Sequence, residues 1–173
     1  LEKITPKTKL LVLPFPNNPT GAVMNRRQLE EIAKIVIEHD LFVLSDEIYS
    51  ELTYGEEEHV TIASLPGMQE RTVLINGFSK AFAMTGWRLG YACAPAVILK
   101  QMLKIHQFAI MCAPTTSQYA AVDALKNSDE DVKRMRESYD QRRRYLLHAF
   151  REMGMDCFEP LGAFYIFPSI RRF

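Results

Sequence analysis

Apolar residues in this chain follow two rhythms, short unbroken runs in its first half and longer stretches recurring every three to four positions between and after them. Leu10 to Phe15, Leu41 to Leu44, Thr72 to Ile75 and Tyr91 to Ala94 are short and largely continuous in apolar character, which predicts strands buried on both faces. Between the first two, Asn25 is placed to cap a helix with Gln28 as capping-box partner. Leu29, Ile32, Ala33 and Val36 then share one helical face. Strand, helix, strand in this order predicts an α/β fold with a mostly parallel sheet.

Downstream the helical rhythm takes over. Pro95 opens a helix predicted to run to about Ile110, and Pro114-Thr115-Thr116-Ser117 restarts the chain into another ending near Leu125. A long helix follows, with Ser128 as cap and Asp129, Glu130 and Asp131 complementing the dipole. Val132, Met135, Tyr139, Leu146, Ala149 or Phe150, and Met153 form its apolar stripe, and Gly154 is its stop.

Polar clusters follow three of the strands. Asn17-Asn18-Pro19-Thr20-Gly21 comes after the first, Ser45-Asp46-Glu47-Ile48-Tyr49 closes the second, and Asn76-Gly77-Phe78-Ser79-Lys80 closes the third, with Arg88 eight residues beyond Lys80. Ligands of open parallel sheets bind outside the carboxyl ends of the strands, so these clusters mark a candidate site. Lys80 offers an amine able to hold an aldehyde as a Schiff base, and Ala81-Phe82-Ala83-Met84 gives it a desolvated setting. Asn17, Pro19 and Gly21 read as turn residues that aim Asn18.

Composition narrows the classes of partner. Lys plus Arg and Asp plus Glu number 21 each in 173 residues, so no overall field recruits nucleic acid or an anionic membrane. Arg142-Arg143-Arg144 and Glu56-Glu57-Glu58 read as solvated segments. Cys93, Cys112 and Cys157 lack metal-ligand spacing and suggest no disulfide framework, which favours a reducing compartment. His39, His59, His106 and His148 likewise show no ligand spacing and read as surface or helix-face residues.

Asn18, Asp46, Tyr49, Lys80 and Arg88, in this order and spacing, resemble the class I/II aminotransferases, pyridoxal-5'-phosphate (PLP) enzymes of the aspartate aminotransferase fold (fold type I). The resemblance covers essentially the whole chain. It implies that Lys80 is the catalytic Schiff-base lysine and that Asp46 pairs with the pyridine nitrogen. Tyr49 and Asn18 would hydrogen-bond the cofactor's phenolic oxygen, and Ser79 and Arg88 would bind its phosphate, Arg88 through a bidentate fork. Many relatives carry Ser or Thr three residues before the lysine, contacting the phosphate, where this chain departs with Gly77.

The resemblance further implies an internal fragment, because the family is more than twice as long. Residues 1–127 would be the C-terminal part of the PLP-binding large domain, 128–153 the interdomain helix and 154–173 the start of the small domain, with Gly162 to Phe167 as its first strand. The groups that complete the phosphate cup and stack on the ring, and the arginine that grips the substrate carboxylate, would lie outside residues 1–173. Amino-acid and 2-oxo-acid substrates, a cytoplasmic homodimer, and neither nucleic acid nor membrane are expected. Two alternatives share the fold: a carbon–sulfur lyase or decarboxylase, and a non-catalytic aminotransferase-like sensor domain. Pro16-Asn17-Asn18-Pro19-Thr20-Gly21 is transaminase-like.

Overall fold

A computed structural model describes residues 2–56 and 58–173. Four strands, β1 (Leu10–Pro14), β2 (Phe42–Asp46), β3 (Thr72–Gly77) and β4 (Gly90–Cys93), form one sheet in the order β1-β2-β3-β4. The first three are parallel, with Pro14 beside Asp46 and Asp46 beside Ile75. β4 returns antiparallel to β3, pairing Gly77 with Gly90. The mostly parallel sheet is therefore present, and its three parallel strands discharge the polar clusters at the same edge.

Helix α1 (Arg26–Glu38) crosses from β1 to β2. Its start is the expected capping box: Gln28 N donates to Asn25 Oδ1 and Asn25 N donates to Gln28 Oε1, each at 3.0 Å. Leu29, Ala33 and Val36 bury against Leu13, Leu41, Val43, Ile62, Leu65 and Met68, the larger core. Each large side chain fully buried there contributes about 1.5–3 kcal/mol relative to exposure. A smaller core forms where Phe78 and Met84, on either side of Lys80, meet Ala121 and Ala124 of α3 (Thr115–Asn127).

One face of the sheet is not buried as the apolar runs predict. Leu10, Val12 and Phe42 are exposed, because the pleat points them to the face opposite the one that α1 covers. Helix α2 (Ala96–Ala109) likewise has no buried residue.

Helix α4 (Asp129–Glu152) carries the expected acidic first turn, and Gly154 follows it at φ 74°. Ser128, however, makes no side-chain cap. Its backbone (φ −108°, ψ 13°) lies outside the extended region that a capping side chain needs, and its N–H instead closes α3 on Ala124 O. The buried residue of the stripe is Leu147; Leu146 and Met153 are exposed. The face runs through Val132, Met135 and Tyr139 to Arg143 and Leu147, following the 3.6-residue turn.

Gly162 to Phe167 is not a strand. Among the described residues it makes one isolated bridge, Thr53 with Gly162, and a second, Cys157 with Pro168, follows it. Ala163 takes φ 58°, which ends any extended run, and the backbone binds loops instead: Leu161 N and Gly162 N both donate to Gly21 O, and Ala163 N donates to Leu52 O.

Candidate active site

The edge where β1, β2 and β3 end collects most of the expected residues. After β1, Asn17 Oδ1 accepts from Thr20 Oγ1 at 2.7 Å, and Gly21 N returns to Asn17 O at 2.8 Å. Gly21 sits at φ 69°, where an added Cβ would stand 2.3 Å from Pro160 Cβ, so the turn admits no side chain. This leaves Asn18 projecting, and its Nδ2 donates to the Tyr165 hydroxyl at 3.3 Å.

Asp46 is the last residue of β2, and its Oδ1 accepts the Ile48 N–H at 3.2 Å, fixing the carboxylate at the strand end. Among the described residues its other oxygen has no protein donor. The next turn buries Tyr49 to 5% exposure, with its hydroxyl 2.6 Å from that of Tyr165. Burial, then the hydrogen-bonded Tyr165 hydroxyl, push the Tyr49 phenol far above its ordinary value, so it stays protonated at neutral pH.

Lys80 follows β3, half-buried, with Nζ 5.6 Å from the centre of the Tyr49 ring and 5.3 Å from that of Phe164. Among the described residues it has no carboxylate within salt-bridge distance. An amine held against two aromatic rings is sheltered from water on those sides and free of an ion pair, as a nucleophile requires.

Ser79 and Arg88 are brought together by a residue that sequence reasoning missed. Thr85 Oγ1 donates to Ser79 O at 2.7 Å, and Thr85 O accepts from Arg88 Nη1 at 2.9 Å, tying the loop from Ser79 to Arg88 into one unit. Arg88 is exposed and left-handed at φ 53°. At Gly77 a Cβ would lie 2.9 Å from Gly90 Cα and 3.1 Å from Leu89 O. The close approach of β3 to β4 therefore explains why no hydroxyl-bearing side chain occupies that position.

Phe164 and Tyr165 were also missed as site residues, having been read as part of a strand. Their signal in the sequence is the pair of adjacent aromatics after Gly162-Ala163. A further departure concerns His59, which is half-buried and paired with a carboxylate. Its Nε2 lies 2.8 Å from Oε2 of the buried Glu47, whose Oε1 accepts from Ser45 Oγ at 2.8 Å and Thr61 Oγ1 at 2.6 Å. This network lies behind the Asp46 strand end and braces it.

Residues 1–172 match the family described as aminotransferase class I and II. The chain belongs to the class I and II aminotransferases. An aspartate aminotransferase of Pyrococcus abyssi is 49% identical over 97% of this chain and 44% of its own length. An aromatic-amino-acid aminotransferase of Thermococcus litoralis is 48% identical over 99% of this chain and 45% of its own. The solved structure of an aromatic aminotransferase from Pyrococcus horikoshii superposes with a TM-score of 0.96 at 50% identity, over 98% of this chain and 46% of that one. This aminotransferase chain thus spans under half the length of these relatives. Among its described residues, no helix is long and apolar enough to cross a membrane.

Proposed function

We propose that the protein carrying this chain transfers the amino group of an α-amino acid to a 2-oxo acid with pyridoxal 5'-phosphate as cofactor. The observation that carries this reading is the meeting of Lys80, Tyr49, Asp46 and Asn18 at one edge of the parallel sheet, with Lys80 Nζ 5.6 Å from the Tyr49 ring. The donor set fits the cofactor: an amine for its aldehyde, a carboxylate for its ring nitrogen, a neutral phenol and an amide for its phenolic oxygen, and a guanidinium for its phosphate.

When bound, pyridoxal phosphate supplies an electron-accepting ring that lets the substrate's α-carbon lose a proton. Lys80 would hold the cofactor through its aldehyde, and its amine would serve as the base and acid for the proton at the substrate's α-carbon. Asp46 would pair with the ring nitrogen and keep it positively charged. Tyr49 O–H and Asn18 N–H would hold the phenolic oxygen, and Arg88 with Ser79 would anchor the phosphate.

In this reading residues 1–127 belong to the large domain, 128–153 to the connecting helix and 154–173 to the small domain of a cytoplasmic homodimer. The isolated chain, spanning under half of its relatives, is inert in transamination. The test is to incubate the full-length protein with pyridoxal 5'-phosphate, reduce with borohydride and map the pyridoxyl label. Label on the peptide holding Ser79 and Lys80, abolished in Lys80→Ala, is expected. Label spread evenly over several lysines overturns the assignment.

A further inference from the structure

Asn18 and Tyr49 do not stand free; both are hydrogen-bonded to one oxygen, the hydroxyl of Tyr165, at 3.3 and 2.6 Å. That hydroxyl arrives from the far end of the chain on a backbone with little freedom. Leu161 N and Gly162 N are bonded to Gly21 O at 3.0 and 2.9 Å, and Ala163 N to Leu52 O at 2.9 Å. A Cβ at Gly162 would stand 2.5 Å from Pro16 Cβ. The segment is thereby clamped on the turns after β1 and β2, the same turns that carry Asn18 and Tyr49. The Tyr165 ring is held in turn by Phe164 and Tyr49, with centroids 4.9 and 5.8 Å away.

The protons in this cluster can be counted. Asn18 Nδ2 carries two hydrogens, and each phenol carries one. If Tyr165 accepts from Asn18 and donates to the Tyr49 oxygen, two of these four hydrogens are used within the cluster, and one Asn18 N–H and the Tyr49 O–H remain. A hydroxyl that accepts a hydrogen bond donates a stronger one, so the Asn18–Tyr165–Tyr49 chain also strengthens the proton that Tyr49 presents.

Resting on the reading of Asn18 and Tyr49 given above, we propose that Tyr165 is a positioning residue for the cofactor: its hydroxyl joins and orients the two donors that hold the phenolic oxygen. Tyr165 itself makes no bond to the cofactor. It fixes the direction of the Asn18 amide and leaves the Tyr49 proton free for the ligand.

Tyr165→Phe in the full-length protein removes the hydroxyl and keeps the ring with its aromatic contacts. Affinity for pyridoxal 5'-phosphate is read from the absorbance change on titration, in wild type, Tyr165→Phe, Tyr49→Phe and the double variant. Tyr165→Phe is expected to weaken binding by about fivefold, the worth of one hydrogen bond. In the Tyr49→Phe background the same change is expected to cost about twofold or less, because the partner through which it acts is gone. A role confined to packing would give the same factor in both backgrounds and overturn the proposal. So would unchanged binding, or tighter binding, which would make the hydroxyl a competitor for the ligand's place. Borohydride labelling of Lys80 in wild type separates the two failures. With the label present and Tyr165→Phe silent, this inference alone falls; with no label on Lys80, the functional reading falls and takes the inference with it.

Discussion

The amino nitrogen of Lys80 lies 5.3 Å from the centre of the Phe164 ring, which a clamped loop at the other end of the chain carries across the sheet edge. The ring forms one wall beside the amine, edge-on to the Tyr49 ring, whose centre lies 5.4 Å away. Phe164→Ala in the full-length enzyme should admit water there and lower kcat/KM by about fivefold, the scale of one cation–π contact. Phe164→Tyr should stay near wild type. Steady-state kinetics of the pair decide it, and an alanine variant with full kcat/KM would reduce Phe164 to a surface aromatic.

Asp46 ends β2 with one oxygen on the Ile48 N–H and the other without a protein donor among the described residues. Asp46→Ala should keep the borohydride label on Lys80, since the amine is untouched, yet lose turnover by on the order of 10²–10³-fold for want of the carboxylate that the proposed function pairs with the ring nitrogen. Its thermal unfolding should be close to wild type. Normal turnover in this variant would return Asp46 to the status of a turn residue.

Glu47 is 3% exposed and accepts from Ser45, Thr61 and, in the tautomer with its proton on Nε2, His59. Removing the carboxylate strands these donors. Glu47→Ala should lower unfolding free energy by about 2–4 kcal/mol, and Glu47→Gln, which preserves an acceptor, by less. Urea titration of the full-length protein measures both. Equal stability of Glu47→Ala and wild type would show that water replaces the network at no cost.

Tyr54 is buried with its hydroxyl donating to Ala163 O, and burial first, then the Asp140 carboxylate, push its phenol up to about 12. The unfolded chain releases this proton near the ordinary ~10. The folded state therefore binds the proton more tightly, and its contribution to stability is whole below pH ~10 and drains away as pH rises toward about 12. Urea midpoints taken between these limits should fall less steeply in Tyr54→Phe, which has no proton to lose, although that variant starts about 1 kcal/mol lower for want of the hydrogen bond. Parallel slopes for the two proteins would contradict this.

Local chemistry made much of this protein readable along the chain. The capping box at Asn25 and Gln28, the stop at Gly154 and the strands at Leu10, Phe42 and Thr72 depend on neighbours a few residues apart, and periodicity reports such neighbours directly. The ends of three parallel strands also brought Asn18, Asp46 and Lys80 to one edge, because parallel strands send their carboxyl ends the same way. What the chain could not announce was decided at long range. Gly162 to Phe167 has the apolar look of a strand, but strand formation needs a partner backbone, and the partners it found were Gly21 O and Leu52 O. Those bonds turned a predicted strand into the strap that delivers Phe164 and Tyr165 to Lys80, Asn18 and Tyr49. Likewise, whether Leu146 or Leu147 was buried, and whether Val12 and Phe42 met solvent, depended on what packs against each face, a property of the assembled fold and not of any window of sequence.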